Sequence, residues 1–406
     1  MSISQVVVAC TEILWLGTAL IVLIICLFFL IECIAALLHK DSSVNRNKGD
    51  WENTKVTILV PAHNEEIVIG STLEKLTPQL KTQDRLLVVA DNCNDKTAEI
   101  ARAMGAIVIE RHDKVNRGKG YALDYGLQFL ESDPPDVVVI VDADCTVNQG
   151  TIAQLSEAAI ATGRPVQAIY LMARPENSQS SKDFISQFAN IIRNLVRPRG
   201  LDNLGFPSLL FGTGMAFPWS VIRAVNLASG HLLEDFKLGL DLTLAGHKPM
   251  FCQAARVTGY LPVSGQAAKS QKTRWVHGHF QIMQAYIPIL VKQAWHQKRF
   301  DLLVSALDLF IPPLSLLAIS WLAMMTNSVL LGIITASWTG VAISSAAGLC
   351  FITAIIAAWA KFATQELPLQ KLLTIPVYVL WKIPVYLKFL FKPQTAWVRT
   401  ERKNLP

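Results

Sequence analysis

Acidic side chains stand directly after three apolar, β-branched runs: Glu65 in PAHNEE (61–66), Asp91 in VADNCND (89–95), and Asp142 with Asp144 in VVVIVDADC (137–145). Two carboxylates one residue apart offer hard oxygen ligands. Mg²⁺ and Mn²⁺ prefer such ligands, and Mg²⁺ is commonly held by one or two carboxylates plus a substrate's phosphates. An ion there would offset the charge on a departing diphosphate. No His/Cys cluster has zinc spacing. Asn116-Arg117-Gly118-Lys119-Gly120 opens a helical pattern, where glycines allow close approach of an anion and Lys119 supplies a point charge. It lacks the Walker GxxxxGK[ST] spacing and by itself reads equally as a solvated turn. Any one of the acids could simply cap the next helix. Their conjunction points instead to an anionic ligand held through a cation.

The surrounding pattern supplies the scaffold. Candidate strands are Val56–Val60, Leu86–Ala90, Ala106–Ile109, Val137–Val141 and Val166–Leu171, and candidate helices are Glu66–Leu76, Lys96–Met104, Gly118–Leu130 and Thr151–Ala161. Continuous apolar strands alternating with helices predict an α/β fold with a mostly parallel sheet covered on both faces. In such sheets the ligand site lies beyond the carboxyl ends of the strands, so the acids should converge on one edge. Asp95 is placed to cap its helix, with Thr97 and Glu99 in the first turn.

The 406 residues are 51% hydrophobic and only 17% charged, with a net charge of +6. A soluble protein averages roughly 25% charged. A disordered chain is excluded, and the excess apolar residues call for a membrane. Ile13 to Ile31 is uncharged and long enough to cross a bilayer core of roughly 30 Å. Residues 1–12 carry no Lys or Arg and the apolar run continues to Leu38, so a retained span is expected rather than a signal peptide. Leu302 to Ala360 contains one charge, Asp308, and is expected to form two spans with a polar turn near Thr326–Gly340 and a kink at Pro312 and Pro313, the alternative being a single span with a re-entrant segment.

Lys40, Arg46, Lys48 and Lys55 follow the first span, Lys298 and Arg299 precede the second, and Lys361 and Lys371 follow the third. Basic flanks mark the cytosolic side. The expected localisation is a multi-pass protein of the plasma (inner) membrane with its middle domain on the cytoplasmic face. From Lys361 to the end there are eight basic and two acidic residues, which account for the whole charge excess. That supports a membrane-facing tail and no nucleic-acid partner. The segment 371–391, with Lys382 inside it and IPVY at 375–378 and 383–386, reads as interfacial. The seven cysteines show neither CxxC spacing nor a disulfide framework and are expected to be reduced. The expected organisation is an N-terminal transmembrane helix (1–40), a cytosolic catalytic domain (50–280), an amphipathic interfacial helix (281–300), two transmembrane helices (301–361) and a basic interfacial tail (362–406).

PAHNEE, VADNCND, NRGKGYAL (116–123) and VVVIVDADC, in that order, resemble the nucleotide-binding half of family 2 glycosyltransferases with the GT-A fold. FGTGMAF (211–217), LEDFKLGLDLTLAGHKP (233–249) and QKTRW (271–275) resemble the acceptor half of the membrane-bound members, those like cellulose synthase, hyaluronan synthase and ceramide glucosyltransferase. The resemblance covers about residues 52–280 and implies a hexosyltransferase using a UDP-hexose or UDP-N-acetylhexosamine with Mg²⁺ or Mn²⁺. It implies that Glu65 and Asp91 contact uridine, with Ala62 and His63 lining the base. Lys119 would approach the diphosphate, Asp142 would sit near the donor sugar, and Asp144 would ligate the metal, with Asp142 as a second candidate ligand. Gly212, Thr213 and Gly214 would shape the acceptor channel, and Asp235, beside Glu234, would be the general base. Gln271, Arg274 and Trp275 would hold the diphosphate and the acceptor sugar at the membrane-side mouth.

The chain departs from the synthase pattern in having Leu233 before Glu234-Asp235 and Lys272 after Gln271, and in having three spans. Those departures bear on processivity and export, not on sugar transfer.

The leading reading is therefore inverting transfer of a sugar from a nucleotide-sugar donor to a hydroxyl of a polysaccharide or lipid-linked acceptor, with membrane lipids and export or assembly proteins as further partners. Asp235 has an alternative as a capping or ion-pairing acid. Trp275 reads either as a sugar platform or as an interfacial anchor, and His277 and His279 either as aids to phosphate binding or as solvated or packing residues, with the second favoured. An alternative function is a non-catalytic nucleotide-sugar sensor or scaffold in a polysaccharide assembly complex. A transport role would need ionisable groups in the spans, where only Asp308 and Glu32 stand.

Overall fold

The computed structural model describes residues 3–38, 52–174, 178, 180–261 and 265–391. Lys40, Arg46 and Lys48 and the tail charges beyond Phe391 lie outside them. Five strands carry the first half of the domain: β1 (Val56–Ala62), β2 (Arg85–Asp91), β3 (Ile107–Arg111), β4 (Val137–Ile140) and the short β5 (Thr146–Val147). Three more follow: β6 (Val166–Ala173), β7 (Met215–Pro218) and β8 (Met250–Tyr260). They form one sheet in the order β3-β2-β1-β4-β7-β6-β8-β5. The β3-β2-β1-β4 half is parallel throughout, as is the β6–β8 pair. β7 runs antiparallel to both β4 and β6, and β5 antiparallel to β8. The fold is a GT-A-like mixed, mostly parallel sheet with helices on both faces.

Alternation along the strands builds the two layers. Ile58 and Val60 of β1 face Ile69, Leu73 and Leu76 of the helix Ile69–Leu76 and Ile152 and Leu155 of the helix Thr151–Thr162. Leu59, Leu87, Val89, Val138 and Ile140 face Leu123 and Leu127 of the helix Lys119–Leu130 on the other side. Because both faces are covered, these strands are apolar at nearly every position rather than at every second one. Asp95 stands one residue before the N-cap position, Lys96, of the helix Thr97–Ala103, and its Oδ1 accepts from the Thr97 backbone N–H at 3.1 Å and the Thr97 hydroxyl at 2.6 Å.

Among the described residues, three helical stretches are long and apolar enough to cross a membrane: Cys10–Leu37, Leu314–Thr335 and Thr339–Phe362. The prolines do more than kink the second of these. They separate a distinct helix, Phe300–Phe310, from the span that begins at Leu314, because proline donates no backbone hydrogen bond and restricts the residue before it. The turn between the last two spans is short, Ala336 to Trp338. The segment expected as a separate helix at 281–300 is the C-terminal part of one helix, Gly265–Gln297, which also carries QKTRW. The motif is thereby rigidly linked to the membrane-proximal elements. The IPVY segment forms the helix Ile375–Phe391.

The spans and the sheet domain are joined by a buried ion cluster. Arg197, on the helix Arg197–Asn203, donates from Nε to Glu32 Oε2 of the first span at 2.9 Å and from Nη2 to the Asp308 carbonyl at 2.7 Å, and it also pairs with the Asp308 carboxylate. Buried carboxylates persist when a cation and hydrogen bonds offset their desolvation. The two ionisable residues in the apolar segments thus serve a structural joint. Gly200, one turn on, packs directly on the Glu32 backbone, where a Cβ would overlap main-chain atoms that cannot rotate away.

Candidate active site

A cavity of about 830 Å³ opens beyond the carboxyl ends of β1, β2 and β4. It is lined by Ala62, His63 and Glu65 after β1, Asp91 at the end of β2, and Asp142 and Asp144 after β4. Lys119 at the start of its helix, Gly212, Glu234 and Asp235 enclose one side. Gln271, Arg274 and Trp275 of the long helix close the other. Residues from seven separate stretches of sequence therefore meet at one place.

Two asparagines shape the cavity edge beyond β1 and β2. Asn64 and Asn92 have φ of 55° and 50°, the left-handed region that asparagine tolerates better than most residues. These turns aim His63 Nδ1 at the Asp91 carbonyl, 2.6 Å away, and bring the Glu65 backbone N–H onto the Thr97 hydroxyl at 2.7 Å. Asp91 accepts from Arg111 Nη1 at 2.7 Å, and Arg111 also reaches Asp113 and the Asn116 carbonyl. The Arg111 pair holds Asp91 in place at the cavity edge. Sequence reasoning passed over Arg111, although it ends β3 on the same sheet edge as the acids.

Lys119 Nζ donates to the Gly212 carbonyl at 2.5 Å and pairs with Asp142. Burial works against its charge, but Asp142, Glu234 and Asp235 outweigh burial and hold the ammonium above its usual range. Gly212, at φ +87°, lies so close to the site that a Cβ would stand 3.2 Å from Asp235 Oδ2 and 3.5 Å from Lys119 Nζ. Thr213 and Gly214 stand behind this wall rather than in the cavity. The Thr213 hydroxyl accepts from the Asp142 backbone N–H at 3.0 Å, and the Gly214 carbonyl accepts from the Ala168 N–H at 2.7 Å. Their contribution is to fix the loop and Asp142, because packing on β6 turns them inward. Gln167, fully buried on β6, binds this loop at both ends, donating to the Thr213 carbonyl at 2.9 Å and accepting from the Phe211 N–H at 2.8 Å. A lone glutamine in an apolar strand was the available sequence signal for it.

Asp235 Oδ1 accepts from the Phe236 N–H at 2.9 Å at the start of the helix Glu234–Leu244. Burial raises its carboxyl above the ordinary range against the pull of Lys119, and burial together with Asp235 raises Glu234. Across from Asp235 stands Arg193, in the π-helical turn Ile192–Val196. Its guanidinium lies 5.0 Å from the Phe236 ring centre and 5.8 Å from that of Trp275. Burial lowers its pKa and Asp235 opposes that. Arg193 and the neighbouring Asn194 are polar residues on an otherwise apolar stretch, which is the signal that would have singled them out. Two buried polar atoms in the cavity lining, Asn194 Oδ1 and Arg274 Nε, make no hydrogen bond. His277 is fully buried, and His279 Nε2 lies 3.1 Å from the Leu309 carbonyl, as packing residues would.

The donor atoms of Asp142, Asp144 and Cys145 lie within 4.8 Å of one another. Two carboxylates lining one cavity fit an oxygen-seeking divalent ion. The buried, softer Cys145 thiol does not suit that ion, and Lys119 already engages Asp142, which leaves the Asp144 carboxylate as the principal candidate ligand.

The fold and the order of these motifs agree with comparison to known proteins. The model of the family described as "Glycosyltransferase like family 2" matches residues 53–278, and the chain belongs to that family. It is 27% identical over 274 residues to the probable glycosyltransferase YdaM of Bacillus subtilis, covering 63% of this chain and 64% of that protein. It is 28% identical over 206 residues to the 4,4'-diaponeurosporenoate glycosyltransferase of Staphylococcus haemolyticus, covering 47% of this chain and 52% of that protein. The chain thus spans less than two thirds of the length of these curated relatives. Among solved structures, the mannosyltransferase PcManGT of Pyrobaculum calidifontis, determined with GDP-Man and Mn²⁺, shares the fold at a TM-score of 0.51 and 16% identity, covering 88% of this chain and 99% of that one.

Proposed function

We propose that the chain is a membrane-bound, inverting glycosyltransferase. It moves a sugar from a nucleotide-sugar, a UDP-hexose or UDP-N-acetylhexosamine, to a hydroxyl of a polysaccharide or lipid-linked acceptor. The observation that carries this reading is the meeting of Asp91, Asp144, Asp235 and Arg274 in one cavity. Glu65 and Asp91 face the nucleoside, with Ala62 and His63 along the base. Lys119 and Arg274 take up the charge of the leaving diphosphate, for which arginine offers a bidentate fork. Asp142 orients the donor sugar. The acceptor oxygen attacks the anomeric carbon as the bond to the diphosphate breaks, and Asp235 accepts the hydroxyl proton. Glu234 keeps the environment of Asp235 acidic and buried. A divalent ion on Asp144 would supply further charge stabilisation when bound.

The basic flanks at Lys55, Lys298, Arg299, Lys361 and Lys371 support a catalytic domain on the cytoplasmic face of the plasma membrane. The test is a panel of radiolabelled donors, including GDP-mannose alongside UDP-sugars, given to purified protein and to membranes, with mass analysis of products. Transfer from one donor supports the reading. Nucleotide-sugar binding with no turnover from any donor in native membranes would support a sensor instead.

The raised Asp235 carboxyl sets the expected pH dependence. A base must be deprotonated, so kcat/KM should rise with pH along an acidic limb placed above about 4, the ordinary aspartate value. Lys119 pulls that carboxyl down, so Lys119→Met should shift the limb to higher pH as well as lowering the rate. A limb that stays put or moves down contradicts the assignment.

A further inference from the structure

A second cavity, of about 500 Å³, lies between the sheet domain and the membrane helices. That is within the roughly 300–1,000 Å³ typical of small-molecule pockets. Its walls are mainly apolar: Phe188 and Ile311 on the domain side, Ala318 of the second span, and Ile352, Ile355 and Ile356 of the third. Ile352 and Ile356 of this wall are about half exposed, at 47% and 50%. Five residues line both this chamber and the catalytic cavity: Met172, Asn190, Arg193, Phe211 and Trp275. The two spaces therefore share a wall at Arg193 and Trp275, with Asp235 on the far side.

The chamber's lining carboxylate, Asp308, is engaged by Arg197, and two further ammonium groups stand apart from it. Lys382, only 6% exposed, and Lys272 both line it. Their ammonium groups share the same two rings, at 5.6 and 6.0 Å from Tyr378 and 5.9 and 5.7 Å from Trp381. Lys272 donates to Ser186 Oγ at 2.8 Å. Among the described residues, no carboxylate lies within ion-pair distance of either ammonium. Asp183 attracts the Lys272 ammonium and Lys182 repels it, and the Asp183 carboxylate is bonded to the Ser178 hydroxyl. A buried ammonium without an anion is costly.

We propose that this chamber is the acceptor site, and that the acceptor is an anionic membrane lipid. Its hydrocarbon chain lies among the apolar walls, its anionic group sits between Lys272 and Lys382, and its hydroxyl passes Arg193 and Trp275 to reach Asp235. This rests on the sugar-transfer reading of the larger cavity and names its acceptor class. The new bond joins the lipid oxygen to the anomeric carbon, the hydroxyl proton goes to Asp235, and the nucleoside diphosphate leaves with the electron pair. Burial, with Lys272 adding to it, lowers Lys382 to about 7, so a bound anion would also restore its full charge.

The test uses purified full-length protein and a fluorescent probe, 11-(dansylamino)undecanoic acid, with its methyl ester as the uncharged control. The acid should bind, and Ala318→Trp, which fills the chamber from the second span, should weaken it by about tenfold or more, since losing about two buried methylenes already costs that much. Lys382→Met should weaken the acid and leave the ester unchanged. Binding of UDP or GDP with Mn²⁺, measured by calorimetry, should be the same in Ala318→Trp as in wild type, which also reports correct folding. In membranes given radiolabelled donor, label should enter the chloroform–methanol phase with wild type and fall about tenfold with Ala318→Trp. Probe binding that neither substitution alters, or full transfer to a water-soluble acceptor in Ala318→Trp, overturns the proposal. Loss of nucleotide binding in the wild type would instead defeat the sugar-transfer reading, and the probe would still decide whether the chamber takes an anionic amphiphile.

Discussion

In an Asp235→Asn variant, kcat is expected to fall by about 10²–10⁴-fold, the usual contribution of a general base. Asparagine keeps the shape and can still accept the Phe236 N–H at its carbonyl oxygen, so the helix start should survive. It cannot take a proton from an attacking hydroxyl. The effect belongs in kcat rather than in donor affinity, because the cavity residues assigned to the nucleotide, Glu65, Asp91 and Arg274, are untouched. The substitution also removes one of three carboxylates that hold Lys119 charged, but Asp142 and Glu234 remain. Steady-state transfer and calorimetric titration with nucleoside diphosphate separate the two quantities. A kcat close to wild type would return Asp235 to the role of a structural acid beside Arg193.

Removing the divalent ion should have an effect of similar size. Chelation is expected to stop transfer, with Mn²⁺ or Mg²⁺ restoring it. Asp144→Asn should lower apparent metal affinity by more than the roughly 10–100-fold that loss of an outer-shell partner costs, because on the proposed assignment the carboxylate itself would be the ligand. The physical reason lies in the charge inventory. Lys119 is already bonded to Asp142 and to the Gly212 carbonyl. Arg274 approaches from the opposite wall. Lys114, Arg117 and Arg193 also line the cavity, but Asp142, Asp144, Glu234 and Asp235 offset much of this charge, and a divalent ion would add the charge that a leaving diphosphate calls for. Transfer that continues at full rate in a chelator would show that Lys119 and Arg274 suffice and would take the metal role from Asp144. Titration of Mn²⁺ into wild type and variant, read by electron paramagnetic resonance, measures the ligand assignment without relying on turnover.

Much of the scaffold is visible in the residues alone. Apolar β-branched runs that do not alternate announce strands covered on both faces, and the five expected strands form with ends shifted by a residue or two. The carboxyl-edge rule then places Glu65, Asp91, Asp142 and Asp144 together, because parallel strands expose their loops on one side. The three spans follow equally from length and apolarity, since a bilayer core demands about twenty apolar residues regardless of neighbours. By contrast, β5, β7 and β8 were not legible, β5 being only two residues long. β7 is four residues long, and the polar and charged positions of β8 break any strand periodicity. The break at Pro312 and Pro313, and the continuity of the helix through residue 280, depend on tertiary packing that no local window contains.

What the order of residues determined by itself is the chemistry on offer: carboxylates at strand ends, a lysine at a helix start, an acidic pair and an arginine-tryptophan motif, framed by apolar helices. Local rules govern all of these, through backbone geometry, periodicity and hydration. Only the tertiary structure decided how they combine. Packing of β6 on β7 and β8 turns Thr213 and Gly214 inward, Arg111 clamps Asp91, Arg197 ties the first span to the sheet domain, and Arg193 comes to stand between two cavities. These outcomes pair residues up to 165 positions apart, as Glu32 and Arg197 are, and which buried charge meets which is settled by the global minimum of desolvation and packing rather than by neighbours in the chain.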